Sequence, residues 1–249
     1  MENIDRLAAM ISEGGGTVFF GGAGVSTESG LKDYRSEDGI YNTVTDYGCS
    51  PEEILSADFF HAHTETFYRF YRDYFLGEAR PNRAHRALAR LEDMVLVSAV
   101  VTQNVDGLHT AAGSRNVTEL HGTVEDNCCL RCGRRFDRSY IRNYEGTVPL
   151  CPCGGILKPK VTLYGEALDG EVCRRAAEAI SRCNTLIVGG TSLTVYPAAS
   201  FLGYFRGKNL AVINRESTPR DKDADLVFRE SIGEVFDELM GVIGNTRGR

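Results

Sequence analysis

Five short apolar runs, residues 17–20, 94–102, 185–189, 210–214 and 225–228, punctuate the chain, and none of them alternates polar with apolar side chains. A strand with one wet face shows a period of two, so these runs read as strands buried on both faces. Between them, residues 51–75, 84–92, 170–183 and 197–206 have helical spacing or helix-forming composition, and 232–243 reads as a closing helix. Strand and helix in alternation predict an α/β fold, a Rossmann-like parallel sheet with helices on both faces. In such sheets ligands bind beyond the carboxyl ends of the strands.

Four of those ends carry unusual words. Thr17-Val18-Phe19-Phe20 runs into Gly21-Gly22-Ala23-Gly24-Val25-Ser26, a turn whose small residues let backbone approach a ligand such as a pyrophosphate. The next glycine of the pattern is Gly30, so the spacing is not the G-x-G-x-x-G dinucleotide fingerprint. The second word is Thr102-Gln103-Asn104-Val105-Asp106-Gly107-Leu108-His109, a dense polar loop after a wholly apolar strand. Such a loop has little packing value and much ligand-holding value. Gly190-Thr191-Ser192-Leu193 and the stretch 214–218 complete the set. His109 and His121 are the nearby candidates for acid or base work. A lone histidine is more often structural, but His121, in Glu119-Leu120-His121-Gly122-Thr123, stands just before a segment with its own chemistry.

That segment, about residues 127–159, exchanges apolar periodicity for cysteine, glycine and basic residues and reads as an inserted module. Cys129 and Cys132 form a C-x2-C pair, and Cys151 and Cys153 a C-x-C pair, eighteen residues apart. Two thiol pairs at this separation resemble a zinc ribbon, whose four thiolates hold one structural Zn2+ and leave no open coordination position. Cys128 is an alternative to Cys129 as ligand, and free or redox-active thiols are the competing reading. Cys49, Cys173 and Cys183 stand apart and read as small buried hydrophobes.

The remaining composition bounds the partners. With 249 residues, 42% of them hydrophobic, the chain has a core of ordinary size. A net charge of -6 argues against broad affinity for nucleic acid or anionic membrane. The most apolar stretch, 94–101, is far shorter than the roughly 20 residues of a spanning helix. Ile4, Leu7, Ala8 and Ile11 share a helical face, which reads as a packed first helix and not a leader. The expected location is the cytoplasm, where eight cysteines are thiols or metal ligands.

Taken together, these words resemble the sirtuins, the Sir2-type NAD-dependent protein deacylases. The likeness is carried by Gly22-Ala23-Gly24-Val25-Ser26-Thr27-Glu28-Ser29-Gly30, by 102–109, by Leu120-His121-Gly122 and by the cysteine pairs. It continues through Gly155-Ile156-Leu157-Lys158-Pro159-Lys160-Val161, Tyr164-Gly165-Glu166, Gly189-Gly190-Thr191-Ser192-Leu193 and Ile213-Asn214, and spans about residues 7–239. The resemblance implies one catalytic domain over 1–249, a Rossmann-like lobe plus a small zinc-binding lobe, with NAD and acyl-lysine meeting between them. It implies that NAD is consumed as a co-substrate, giving nicotinamide, O-acetyl-ADP-ribose and free lysine. The acyl carbonyl oxygen attacks the ribose carbon bearing nicotinamide, and His121 as general base then draws a proton from the ribose hydroxyls.

By the same resemblance Gln103, Asn104 and Asp106 hold the nicotinamide ribose and carboxamide, Asn104 joining His121 in catalysis. Gly22, Ala23, Gly24, Ser26, Thr27, Asp33, Tyr34 and Arg35 belong to the cofactor pocket. Gly190, Thr191, Ser192, Asn214 and Glu216 face phosphates or adenosine. Val161, Leu163, Tyr164 and Gly165 border the peptide groove, where strand addition suits many sequences. Two departures stand out. Gly30-Leu31-Lys32-Asp33-Tyr34-Arg35 replaces the family's usual Gly-Ile-Pro-Asp-Phe-Arg, which implies a looser loop and more NAD hydrolysis relative to deacylation. Desuccinylating relatives carry Tyr-x-x-Arg, whereas neither Tyr68 nor Tyr71 has arginine three residues on, so an uncharged acyl group, acetyl first, is the expectation. The alternatives are an ADP-ribosyltransferase or NAD hydrolase on the same scaffold, and a zinc-ribbon module for nucleic acid, which the acidic charge opposes.

Overall fold

A computed structural model describes residues 2–33, 39–40 and 47–247. Six parallel strands form one sheet: β1 (Thr17–Gly21), β2 (Ala99–Thr102), β3 (Val117–Glu119), and, after an intervening segment, β7 (Thr185–Gly189), β8 (Asn209–Ile213) and β9 (Leu226–Phe228). Their order is β3-β2-β1-β7-β8-β9. The chain first builds outward from β1 on one side, then crosses to the other, so the order reverses between β1 and β7. That is the switch point where the carboxyl ends of open sheets leave a crevice.

Successive residues of these strands face opposite cores. Phe19, Val100, Ile187, Ala211 and Ile213 enter one cluster, with α1 (Glu2–Ser12), α5 (Arg83–Asp93) and α9 (Ile232–Arg247). Val18, Phe20, Ala99, Val101, Leu186, Val188 and Val212 enter the other, with α8 (Gly170–Arg182) and a 3-10 segment, Ala198–Tyr204. All residues of β1, β2 and β7 are buried, which is why the sequence shows runs and no alternation. Burying each large apolar side chain contributes about 1.5–3 kcal/mol.

Three local expectations differ from the structure. The stretch 51–75 is three helices, α2 (Pro51–Ile54), α3 (Ala57–Ala62) and α4 (Thr64–Phe75), because Ser56 leaves the helix to pair with Tyr164 and its Oγ caps α3 at the Phe59 N–H, 3.2 Å away. Residues 94–98 lie outside β2. There the chain turns after α5, with Val95 at φ 59° and 89% exposed, and the N–H groups of Leu96 and Val97 return to the Leu91 carbonyl. The stretch 197–206 holds a 3-10 helix and not an α-helix.

The second sheet is antiparallel, in the order β5-β4-β6, from β4 (Gly122–Cys129), β5 (Arg135–Asp137) and β6 (Leu157–Val161), with α7 (Arg138–Asn143) beside it. It brackets the cysteine segment. Its core draws on two distant pieces of chain: Ile54, Phe60, Phe67, Tyr68 and Tyr71 from α2, α3 and α4 pack with Val124, Cys129, Cys151 and Leu157. The short helix α6 (Leu108–Ala111) follows the polar loop after β2. No helix among the described residues is long and apolar enough to cross a membrane.

Candidate active site

Three loops interlock at the switch point. Gly21 of β1 and Gly189 of β7 are register partners, and beyond them the Gly22 N–H donates to the Gly189 carbonyl at 3.1 Å and the Gly24 N–H to the Gly190 carbonyl at 2.8 Å. A Cβ on Gly24 would meet the Gly190 backbone at 2.9 Å, and one on Gly190, at φ +59°, would meet the Val25 nitrogen at 2.4 Å. The glycine word is therefore read by its neighbouring loop. The Gly22 and Gly24 amides, expected to face a pyrophosphate, are already donated to β7 and its loop, so those two glycines act through close approach of backbone.

The polar loop after β2 supplies the floor. The Gln103 N–H continues the sheet to the Gly21 carbonyl at 3.0 Å, and its Nε2 donates to Thr191 Oγ1 at 3.0 Å, tying the second word to the third. Asn104, buried, donates from Nδ2 to Ser26 Oγ at 3.1 Å, and Ser26 donates to Asp106 Oδ2 at 2.7 Å. The other carboxylate oxygen of Asp106 accepts the Leu108 N–H at 2.9 Å and so caps α6.

His121 lies in the turn between β3 and β4. Its Nδ1 lies 2.9 Å from the Gln103 carbonyl. A carbonyl only accepts, so Nδ1 carries the proton and Nε2 holds a free lone pair in the cleft that His121 lines. Burial pushes the His121 pKa down, and the Gln103 carbonyl pushes back weakly. Two residues earlier, burial and then the Asp106 charge raise the Glu119 carboxyl to about 7. His121 lines the cleft, whereas Glu119 is not among its lining residues.

The cleft has a volume of about 350 Å³. One wall holds Gly22, Ala23, Gly24, Thr27 and Asp33, with Gln103, Asn104 and His121 at its floor. Gly190, Thr191, Ser192, Asn214 and Glu216 line the cleft from the ends of β7 and β8, and Val161, Leu163, Tyr164 and Gly165 line it from the end of β6 and the segment after it. Ser26 and Asp106 are not among the lining residues and stand one layer behind Asn104. Tyr34 and Arg35 lie outside the described residues. His109 is not a cleft residue either. It is buried against Phe19 and His85, ring centroids 6.0 and 4.6 Å away, which makes it a packing group.

Sequence reasoning missed Leu55, Phe75, Tyr196 and Arg215, which also line the cleft, as do Thr162, between the expected groove residues Val161 and Leu163, and Glu166 of the word Tyr164-Gly165-Glu166. Leu55 and Phe75 come from the helical stretch, where periodicity signals core. The Thr162 N–H donates to the His121 carbonyl at 2.8 Å.

The four cysteine sulfurs of Cys129, Cys132, Cys151 and Cys153 lie within 4.8 Å of one another, with Cys129 to Cys153 at 3.5 Å and Cys132 to Cys151 at 3.6 Å. Zn–S bonds of about 2.3 Å at tetrahedral angles require sulfurs about 3.8 Å apart, so the donor set and its spacing fit zinc. The Arg131 and Cys132 N–H groups point at Cys129 Sγ, 3.4 and 3.5 Å away, which favours thiolate. Cys129 and not Cys128 belongs to the cluster. Of the three remaining cysteines, Cys183 is buried, and Cys49 and Cys173 are half-buried at the edges of apolar clusters.

The family model for the Sir2 family matches residues 22–197, spanning the loops and the cysteine cluster just described. The chain belongs to the Sir2 family. This Sir2 chain is 48% identical over 242 residues to an NAD-dependent protein deacetylase of Clostridium acetobutylicum, covering 96% of this chain and 99% of that protein. To an NAD-dependent protein deacetylase of Cutibacterium acnes it is 49% identical over 240 residues, covering 96% and 98% respectively. A solved Sir2–p53 peptide–NAD+ structure superposes with a TM-score of 0.86 at 36% identity, covering 97% of this chain and 99% of that one.

Proposed function

We propose that the chain removes acyl groups, acetyl first, from protein lysine in an NAD-dependent reaction with water that yields free lysine, nicotinamide and O-acetyl-ADP-ribose. The observation that carries this reading is His121: a half-buried, neutral imidazole with Nδ1 protonated by its bond to the Gln103 carbonyl and Nε2 left as a base in the cleft. The similar proteins named as NAD-dependent protein deacetylases, and the solved neighbour with peptide and NAD+, support it at nearly full length.

When bound, NAD supplies a ribose carbon whose bond to nicotinamide breaks, and ribose hydroxyls from which a proton must leave. The cradle suits such a group. Glycine backbones at 22, 24 and 190 admit a close approach, and the Gln103 and Asn104 amides offer donors and acceptors at the floor. Asn214, whose Nδ2 donates to the Glu216 carbonyl at 2.9 Å, and the Glu216 carboxylate lie at the end of β8, where acidic residues of such folds meet ribose hydroxyls. Ser26 and Asp106 act through Asn104, holding its amide in place. His121 Nε2 accepts the proton. Val161, Leu163, Tyr164 and Gly165 receive the peptide, and the apolar Leu55, Phe75 and Val105 keep water from the reacting carbon. The four cysteines hold one structural zinc and take no part in the chemistry.

We place this activity in the cytoplasm, a reading supported by eight cysteines that are all free thiols or zinc donors. The single catalytic unit is the whole chain, 1–249. The deciding experiment incubates the zinc-loaded protein with NAD and an acetyl-lysine peptide and measures nicotinamide and deacetylated peptide together, with His121→Ala as control. Equal yields that depend on His121 are expected. Nicotinamide without deacetylated peptide would replace this reading by transfer to another acceptor or NAD hydrolysis.

A further inference from the structure

Between β6 and α8 the chain passes along the cleft as the segment 162–166, and an ion pair fastens it. Lys158 Nζ lies 3.0 Å from Glu166 Oε2 and 3.2 Å from the Val161 carbonyl, and the same Glu166 oxygen accepts the Leu163 N–H at 2.8 Å. The turn closes with the Glu166 N–H on the Leu163 carbonyl at 3.0 Å. Both partners are sheltered, with side-chain exposures of 14% for Lys158 and 30% for Glu166, unlike most ion pairs of this chain. An exposed pair contributes little, but a sheltered one that also satisfies two backbone groups fixes geometry.

The consequence reaches both ends of the cleft wall. Lys158 stands in β6 opposite Cys128 in β4, so its stem is anchored in the small sheet. Glu166 lines the cleft, and Thr162, inside the fastened turn, donates its N–H to the His121 carbonyl. Tyr164 is held from the far side by the Leu55 carbonyl and the Ala57 N–H, both at 2.9 Å. Leu163 has no such external partner. Its carbonyl accepts from the Glu166 backbone N–H and its side chain is buried in the apolar cluster of the small sheet, while its own N–H is held by the Glu166 carboxylate.

We infer that Lys158 and Glu166 form a latch that sets the conformation of residues 161–164 for peptide, and that Glu166 is a positioning residue for peptide affinity with no step of its own in the chemistry. The inference rests on the proposed deacylase reading. Its test compares the full-length, zinc-loaded wild type with Glu166→Ala and Glu166→Gln, because glutamine keeps an oxygen for the Leu163 N–H while alanine removes it. Three quantities are read: direct binding of a labelled acetyl-lysine peptide, KM against kcat, and hydrogen exchange of the 161–166 amides, with zinc content and melting as controls for folding.

Loss of a hydrogen bond to a charged group predicts that Glu166→Ala weakens peptide binding and raises peptide KM about tenfold or more. The change in kcat is smaller, the Leu163 amide loses protection, and Glu166→Gln recovers most of the affinity. A folded Glu166→Ala protein with wild-type peptide affinity overturns the latch. So does a fall in kcat at unchanged KM, since that places the carboxylate in the chemistry. A wild-type chain that binds no acetyl-lysine peptide overturns the deacylase reading and the latch together, and the wild-type control separates that result from failure of the latch alone.

Discussion

At the scale of single residues, protonation is the property the fold controls most closely. An ordinary histidine titrates near about 6.5, and burial moves His121 below that value. A general base works when unprotonated, so the acidic limb of kcat/KM should fall below pH 6.5, and a limb at or above it would assign the base elsewhere. His121→Ala should lower kcat about 10²–10⁴-fold, as loss of a positioned base does, in single-turnover assays of peptide deacylation. Glu119 moves the other way, to about 7, first through burial and then through Asp106. A carboxyl whose folded pKa is raised binds its proton more tightly in the native state. Its contribution to stability is therefore complete below the unfolded value and lost as pH rises through 7. Glu119→Gln removes the charge and the titration, so it should raise the melting temperature at pH 8 clearly more than at pH 5. Equal gains at both pH values would show that Glu119 is ionised in the fold at little cost.

Among elements, the two faces of the parallel sheet are filled by different helices, and the energetic weight of each can be measured. Phe236 of α9 is fully buried and meets Phe19 of β1 edge-on, with ring centroids 5.8 Å apart. Phe236→Ala should cost about 3–5 kcal/mol in urea unfolding, because the cavity opens against a sheet that cannot collapse into it. At this scale most of the architecture was legible. The runs at 17–20, 185–189 and 210–214 announce themselves because strands buried on both faces have no room for polar residues. The second sheet was not legible as strands. β4 has one buried and one half-exposed face, is interrupted by a register shift between Thr123 and Asn127, and is rich in groups that serve metal and ion pairs. The same limit applied to the site. His121, Asn104 and the cysteines stand out as polar residues at strand ends or at metal-ligand spacing. Leu55 and Phe75 come to the cleft only through packing between distant segments, and nothing local in their sequence marks them.

For the whole molecule, the four-cysteine cluster is the joint on which the small lobe hangs. Cys129 and Cys151 belong at once to the four-sulfur cluster that fits zinc and to the apolar cluster that holds α2, α3 and α4. Zinc should be found at one ion per chain by elemental analysis. Its removal with a chelator under reducing conditions should release both the antiparallel sheet and the aromatic helices while the six-stranded sheet stays folded. Limited proteolysis would then cut within 50–76 and 122–161 and spare the strands of the larger sheet. Cuts spread evenly along the chain would mean that the two lobes unfold as one.

The two-piece core of the small lobe also has a consequence in time. Translation completes the aromatic face of α4, with Phe67, Tyr68, Phe70 and Tyr71, roughly eighty residues before it reaches Leu157, which that face is built to cover. At about 5–20 residues per second, the nascent chain carries an uncovered patch of rings for about 4–16 s. Through that interval the growing polypeptide offers the ribosome exit and its attendant chaperones a sticky surface that the finished enzyme never displays.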